Sequence, residues 1–144
     1  MLVRVMGDPH VRTLTRLARM LERGAGDLSL PQFRVLALVE EGGERASQLA
    51  DRLAVAKPTI TAVVDGLVER GFLKRSADCD DRRATKITLT AAGRRALYDA
   101  EHAMHARLHN VLAHADDPKA IERALHDLAR AVDRARDERL VRPR

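Results

Sequence analysis

The sequence predicts a mainly α-helical fold carrying one small β-hairpin. Three observations lead there. Apolar residues recur at intervals of three and four through most of the chain, the periodicity of helices with one inward face. Aromatic residues make up only 2% of the 144 residues, so the core must be built from Leu, Val, Ile, Ala and Met, a mixture that favours helices. One stretch, residues 72–89, instead places two short runs around a highly charged centre, the second alternating Ile87 and Leu89 with Lys86 and Thr88 as a half-buried strand does.

Each element can be justified in chain order. Val11, Leu14, Leu17, Ala18 and Leu21 give residues 9–23 one apolar face, Asp8-Pro9 suits the start, and "GAGD" ends the helix. The second helix begins around Ser29 and Leu30, ahead of Pro31. It buries Phe33, Val35, Leu36, Leu38 and Val39 and stops at Gly42-Gly43. A short helix follows in "ASQLADRLA" with Ala46, Leu49, Ala50 and Leu53 inward. Arg45 is a poor cap for it, and the sequence suggests no compensation. Pro58 is expected as the first helical residue of "PTITAVVDGLVERG", which buries Ile60, Val63, Val64, Leu67 and Val68 and ends at Gly71. "FLKRS" and "TKITL" read as strands, with "ADCDDRRA" as the turn between them. Thr90 caps a long helix running to about residue 115, with Leu97, Met104, Leu108, Val111 and Leu112 on its stripe. Asp116 and Asp117 precede Pro118 at the start of the last helix. There Ile121, Leu125, Leu128, Val132 and Ala135 form a narrow seam suited to helix pairing.

Composition narrows the function classes. Net charge is +5 and the sequence pI about 10.1, which favours a polyanionic partner without requiring one. A lone cysteine, Cys79, cannot form an internal disulfide and points to a reducing compartment. No run approaches the ~18 apolar residues of a membrane span, and the N-terminus lacks the apolar centre of a signal peptide, so a cytoplasmic location and no membrane partner are expected. No Gly-rich phosphate loop appears, and no Ser or Cys has a recognisable set of catalytic partners, so no enzyme is expected.

A short helix, a tight turn, a longer helix and then a two-stranded finger make a winged helix-turn-helix. In such modules the second helix of the pair enters the major groove of double-stranded DNA. Lys57, Pro58, Thr59, Thr61 and Ala62 lie at its front or outer side, small, polar or basic enough for close approach to bases and phosphates. Arg82 and Arg83 at the hairpin tip suit the narrow minor groove, which draws arginine, and Lys86 follows on the second strand. Asp78, Asp80 and Asp81 cap the turn through their own backbone or hold one arginine in a fixed pose.

Three pieces carry a more specific likeness: "LADRLAVAKPTITAVVDGLVERGFLKR", the wing "DCDDRRATKITLT", and the Thr-x-x-Gly that opens the next helix. Together they resemble the MarR family of transcriptional regulators, over roughly two thirds of the chain. Cys79 stands where that family's wing usually has proline, and Gly66 where it often has arginine. The resemblance implies an acid at Asp65 that pairs with Arg83 and orients the wing, leaving Arg82 to reach the groove. It implies a homodimer interlocked through the first and last two helices, reading a palindromic operator with half-sites about 10 base pairs apart. The chain then divides by role into a dimerisation helix (1–28), a DNA-binding lobe (29–90) and C-terminal dimerisation helices (91–144) of one compact chain. It further implies a repressor that needs no cofactor and is released by a small aromatic or anionic effector. Leu14, Leu17, Leu28, Phe33, Arg34 and Leu36 are candidates to line the effector pocket, and the same residues also read as plain core.

Alternatives remain within the same fold. Cys79 offers a thiol for redox sensing, with nearby aspartates and arginines pulling its pKa in opposite directions. His102, His105 and His109 share one helical face, a spacing open to zinc, although no partner ligand is evident near Gln32, Phe33 and Arg34, so no metal site is assigned. A winged-helix module that binds only protein is the remaining reading.

Overall fold

The computed structural model describes residues 8–42, 45–77 and 85–141, and the described residues form six α-helices and one two-stranded sheet in the expected order. α1 (Pro9–Glu22) starts where Asp8 accepts a 2.8 Å hydrogen bond from the His10 backbone N–H. α2 (Leu30–Glu40) has a full capping box: the Gln32 N–H donates to Ser29 Oγ at 3.4 Å, and the Ser29 N–H donates to Gln32 Oε1 at 3.0 Å. α3 (Ala46–Leu53) supplies the compensation that Arg45 seemed to lack. The Arg45 N–H donates to Gln48 Oε1 at 3.1 Å, the reach-back half of a capping box.

α4 (Lys57–Glu69) starts one residue earlier than expected, so Pro58 is its second residue. The helix-turn-helix turn before it passes through Ala54 in the left-handed region (φ 53°), with the Ala54 N–H bonded to Asp51 O and the Val55 N–H to Ala50 O. A non-glycine residue there costs about 1 kcal/mol, offset by those two bonds. β1 (Leu73–Ala77) and β2 (Thr85–Leu89) pair antiparallel, Leu73 opposite Leu89 and Arg75 opposite Ile87.

α5 (Ala91–Leu112) ends three residues short of the expected 115, because the N–H groups of His114 and Ala115 bond three residues back instead of four, to Val111 and Leu112. α6 (Pro118–Val141) is capped by Asp117, which accepts from the Ala120 N–H at 2.9 Å.

The core explains the arrangement. Val35 and Leu36 of α2, Leu49 of α3, Ile60, Val64 and Leu67 of α4, Leu73 and Ile87 of the sheet, and Leu97 of α5 are at most 2% exposed and belong to one cluster. Contacts divide the chain into two compact units, Met1–Arg107 and Leu108–Arg144. Ala25, Leu28, Ala100 and Met104 join the core of the first unit, so packing is continuous across residues 28 and 90. In the second unit, Ile121, Leu128 and Val132 of the α6 seam are 40%, 46% and 58% exposed, with Leu125 half-buried.

The Thr-x-x-Gly signature joins the hairpin to the helices on each side. Thr90 Oγ accepts from the Gly93 N–H at 3.0 Å and donates to Gly71 O at 2.6 Å. The Thr90 N–H bonds to Phe72 O at 3.0 Å. A Cβ on Gly93 would lie 1.9 Å from that same carbonyl oxygen, so only glycine lets α5 sit against the chain entering β1.

Candidate nucleic-acid interface

α4 is held from beneath. Ile60, Val64 and Leu67, at i, i+4 and i+7, are 0–2% exposed and fix its rotation against α2, α3 and β1. That rotation leaves Lys57, Pro58, Thr59, Thr61 and Ala62 all exposed on the outer side. No side chain caps the start of α4, where Ala56 is the flanking residue, so the positive end of the helix dipole is open. The two threonines differ. Thr61 Oγ donates to Lys57 O at 3.0 Å, leaving its oxygen as an acceptor and its methyl group for apolar contact. Thr59 has no such bond among the described residues, and its hydroxyl can both donate and accept.

The hairpin is tied to this helix by a contact that the sequence reading missed. Asp65 of α4 accepts a 2.5 Å charge-assisted hydrogen bond from Arg75 of β1. The signal was present. Alternation puts Arg75 on the same strand face as Leu73, which is buried toward the helices. Arg83, the partner implied for Asp65 by resemblance, lies outside the described residues, as do Cys79, Asp81 and Arg82. Lys74, Ser76, Lys86 and Thr88 alternate onto the opposite strand face; Lys74 is exposed and Lys86 half-buried.

Both members of the Asp65–Arg75 pair keep over a third of their side-chain surface in solvent, so the pair stabilises the fold by no more than ~1 kcal/mol. Its effect is geometric, fixing the hairpin's angle to α4. Replacing Arg75 by Gln is therefore expected to leave thermal stability almost unchanged and to weaken duplex binding by about tenfold, the equivalent of ~1.4 kcal/mol. Calorimetry and fluorescence anisotropy on the same preparation separate the two effects.

A helix held by its inner face, an open N-terminus with small polar neighbours and a braced two-stranded finger are the parts of a duplex-reading module. The MarR family model matches residues 28–85, the segment holding α2–α4 and the hairpin's first strand. The uncharacterised HTH-type transcriptional regulator YfiV of Bacillus subtilis is 31% identical over 116 residues, covering 78% of this chain and 72% of that protein. The chain belongs to the MarR family of transcriptional regulators.

Solved MarR-type structures agree with the fold. A probable transcriptional regulator from Pseudomonas aeruginosa superposes with a TM-score of 0.73 at 28% identity, covering 92% of this chain and 99% of that one. The transcriptional repressor CouR bound to a 23-mer DNA duplex superposes at 0.77 with 25% identity, covering 91% and 94%. CouR from Rhodococcus jostii RHA1 bound to p-coumaroyl-CoA gives 0.72 at 24% identity, covering 92% and 94%.

Against the family pattern, Gly66 lies in mid-helix with open space around the position of a Cβ. Gly66→Arg is expected to raise stability by up to ~1 kcal/mol through helix propensity. If the added guanidinium meets a phosphate, it also steepens the log–log salt dependence of binding by about 1 per arginine. Urea melts and a salt titration read the two effects.

A cavity of about 240 Å³ opens in the first unit between the α1–α2 loop and α5, lined by Gly24, Leu28, Arg70, Phe72, Asp99 and Ala100 among others. Arg70, just past the end of α4, stacks over the Phe72 ring at 4.6 Å and donates to Asp27 O at 3.1 Å. Of the six residues expected around an effector, Leu28 lines this cavity. Leu36 is wholly buried in the core, Phe33 and Leu17 are half-buried, and Leu14 and Arg34 are exposed. His102, His105 and His109 are all exposed on α5, and no three potential metal ligands converge among the described residues.

Proposed function

We propose that this family member is a homodimeric repressor that reads a palindromic operator in double-stranded DNA and lets go when a small molecule binds. The observation that carries the reading is α4: three fully buried anchors on one side and five consecutive-face residues, Lys57, Pro58, Thr59, Thr61 and Ala62, exposed on the other. Small side chains allow the helix into the major groove. Lys86 and, through the wing tip, Arg82 and Arg83 meet the backbone and the adjacent minor groove, while Asp65 and Asp81 orient the wing.

The exposed α6 seam supports the dimer, since a row of apolar side chains at 40–58% exposure is stabilised by a second copy. The cavity beside Arg70 supports a small aromatic or anionic effector, because its wall includes a guanidinium and a ring next to the end of α4. The protein would act in the cytoplasm, where the DNA is. Among the described residues no helix is long and apolar enough to cross a membrane.

Selection of bound sequences from random duplexes tests the reading. The expected result is one palindrome with half-sites about 10 base pairs apart and an affinity that falls steeply with salt. Failure to enrich any sequence, with binding insensitive to salt, would remove it.

A further inference from the structure

We propose that α1 carries a second, sequence-independent surface for the phosphate backbone of duplex DNA. Arg12, Arg16, Arg19 and Arg23 recur at intervals of 4, 3 and 4 residues along α1 and its C-cap. At about 100° per residue they share an arc of roughly 60°, and the row is about 16 Å long. All four are exposed, and none of the guanidinium groups has a hydrogen-bond or ion-pair partner among the described residues. Glu22, the one acid of the helix, lies outside the arc. Four unpaired like charges in a row repel one another, so a polyanion laid along them lowers the energy.

The rest of the helix decides which polyanion. Val11, Leu14, Leu17, Ala18 and Leu21 occupy the opposite side, with Val11 56% and Leu14 47% exposed. Covering that apolar side by a second copy leaves the arginines facing solvent. A membrane-surface helix needs its basic residues flanking the apolar side, so that both reach the interface. Here, inserting the apolar side would lift the guanidinium groups away from the headgroups by about the 10 Å diameter of a helix. An acidic peptide would find no apolar anchor between the arginines. Successive phosphates of a DNA strand lie within the reach of neighbouring arginines of such a row, so it can meet several at once, and each guanidinium can grip phosphate oxygens in pairs. Nothing in the row reads base edges, which makes the contact indifferent to sequence. A protein with α4 on one duplex and α1 on another bridges two segments of DNA.

Bridging tests this on the full-length chain. One duplex is fixed to beads, protein is bound to it, and a labelled second duplex is added at about 50 mM salt, where phosphate contacts are strong. The wild-type protein should capture the label. The Arg12→Gln/Arg16→Gln/Arg19→Gln/Arg23→Gln variant should stay on the beads, since Gln has nearly the helix propensity of Arg, and should capture at least about tenfold less. A variant that captures as much as wild type overturns the proposal. So does one that becomes monomeric in light scattering, or wild-type protein that sits on the beads and captures nothing. Binding of anionic vesicles that the four substitutions abolish, with capture unchanged, also overturns it. Ala62→Glu protein, with and without the four substitutions, separates the two surfaces: it should lose operator preference yet keep random-duplex binding that depends on the arginines. Wild-type protein that reaches no duplex at all overturns both surfaces, whereas wild-type protein that binds random duplexes through the arginines without preferring any sequence counts against α4 alone.

Discussion

Gly93→Ala lowers the unfolding free energy by about 3 kcal/mol, read as a fall in urea midpoint with an unchanged slope. Elsewhere in a helix, exchanging Gly for Ala stabilises by ~1 kcal/mol. The sign reverses here because the new Cβ would sit 1.9 Å from the Phe72 carbonyl oxygen and 2.8 Å from its carbon. Both are backbone atoms that cannot swing aside. The same carbonyl accepts the Thr90 N–H, so relieving the clash also breaks the bond that fixes the start of α5 to the base of the hairpin. Melts are compared at one protein concentration, because a dimer's stability depends on it. A variant as stable as wild type would mean that α5 and β1 do not approach this closely.

Ala62→Glu removes the preference for the operator, a loss of at least ~100-fold in sequence-specific affinity, while shifting the melting temperature by less than about 2 °C. Ala62 is exposed and Glu is a good helix former, so folding is little affected. In the groove the same change places an unpaired carboxylate among phosphates and base acceptors, where desolvation and repulsion together cost several kcal/mol. Anisotropy titration with the selected duplex reads the loss. Retained affinity would move the reading surface elsewhere on the molecule.

The helices were legible from their apolar periods, to which α1, α2 and α4 add a start signal and a stop. α4 shows all three in Pro58, the series Ile60, Val64, Leu67, and Gly71. The capping of α3 was less visible, since the flanking Arg45 carries no capping side chain and the acceptor, Gln48, lies three residues on inside the helix. The brace on the hairpin was hidden for a different reason. Resemblance directed Asp65 to Arg83, which lies outside the described residues, and strand alternation, which places Arg75 on the helix-facing side, went unused. The cavity was the least legible feature. It exists where Gly24, Ala25, Gly26, Ala96, Ala100 and Ala103 leave space unfilled, and hydrophobic periodicity registers large side chains, not missing volume. Leu36, for which the sequence left both pocket wall and plain core open, is wholly buried in the core.

Methylation interference at guanine N7 tests the central claim most directly, because N7 lies on the floor of the major groove, where α4 is expected. On the selected operator, methylated guanines should block binding in two clusters about 10 base pairs apart, one for each α4 of the dimer. Binding that tolerates methylation throughout the operator, or is blocked only by minor-groove modification, would contradict the placement of α4.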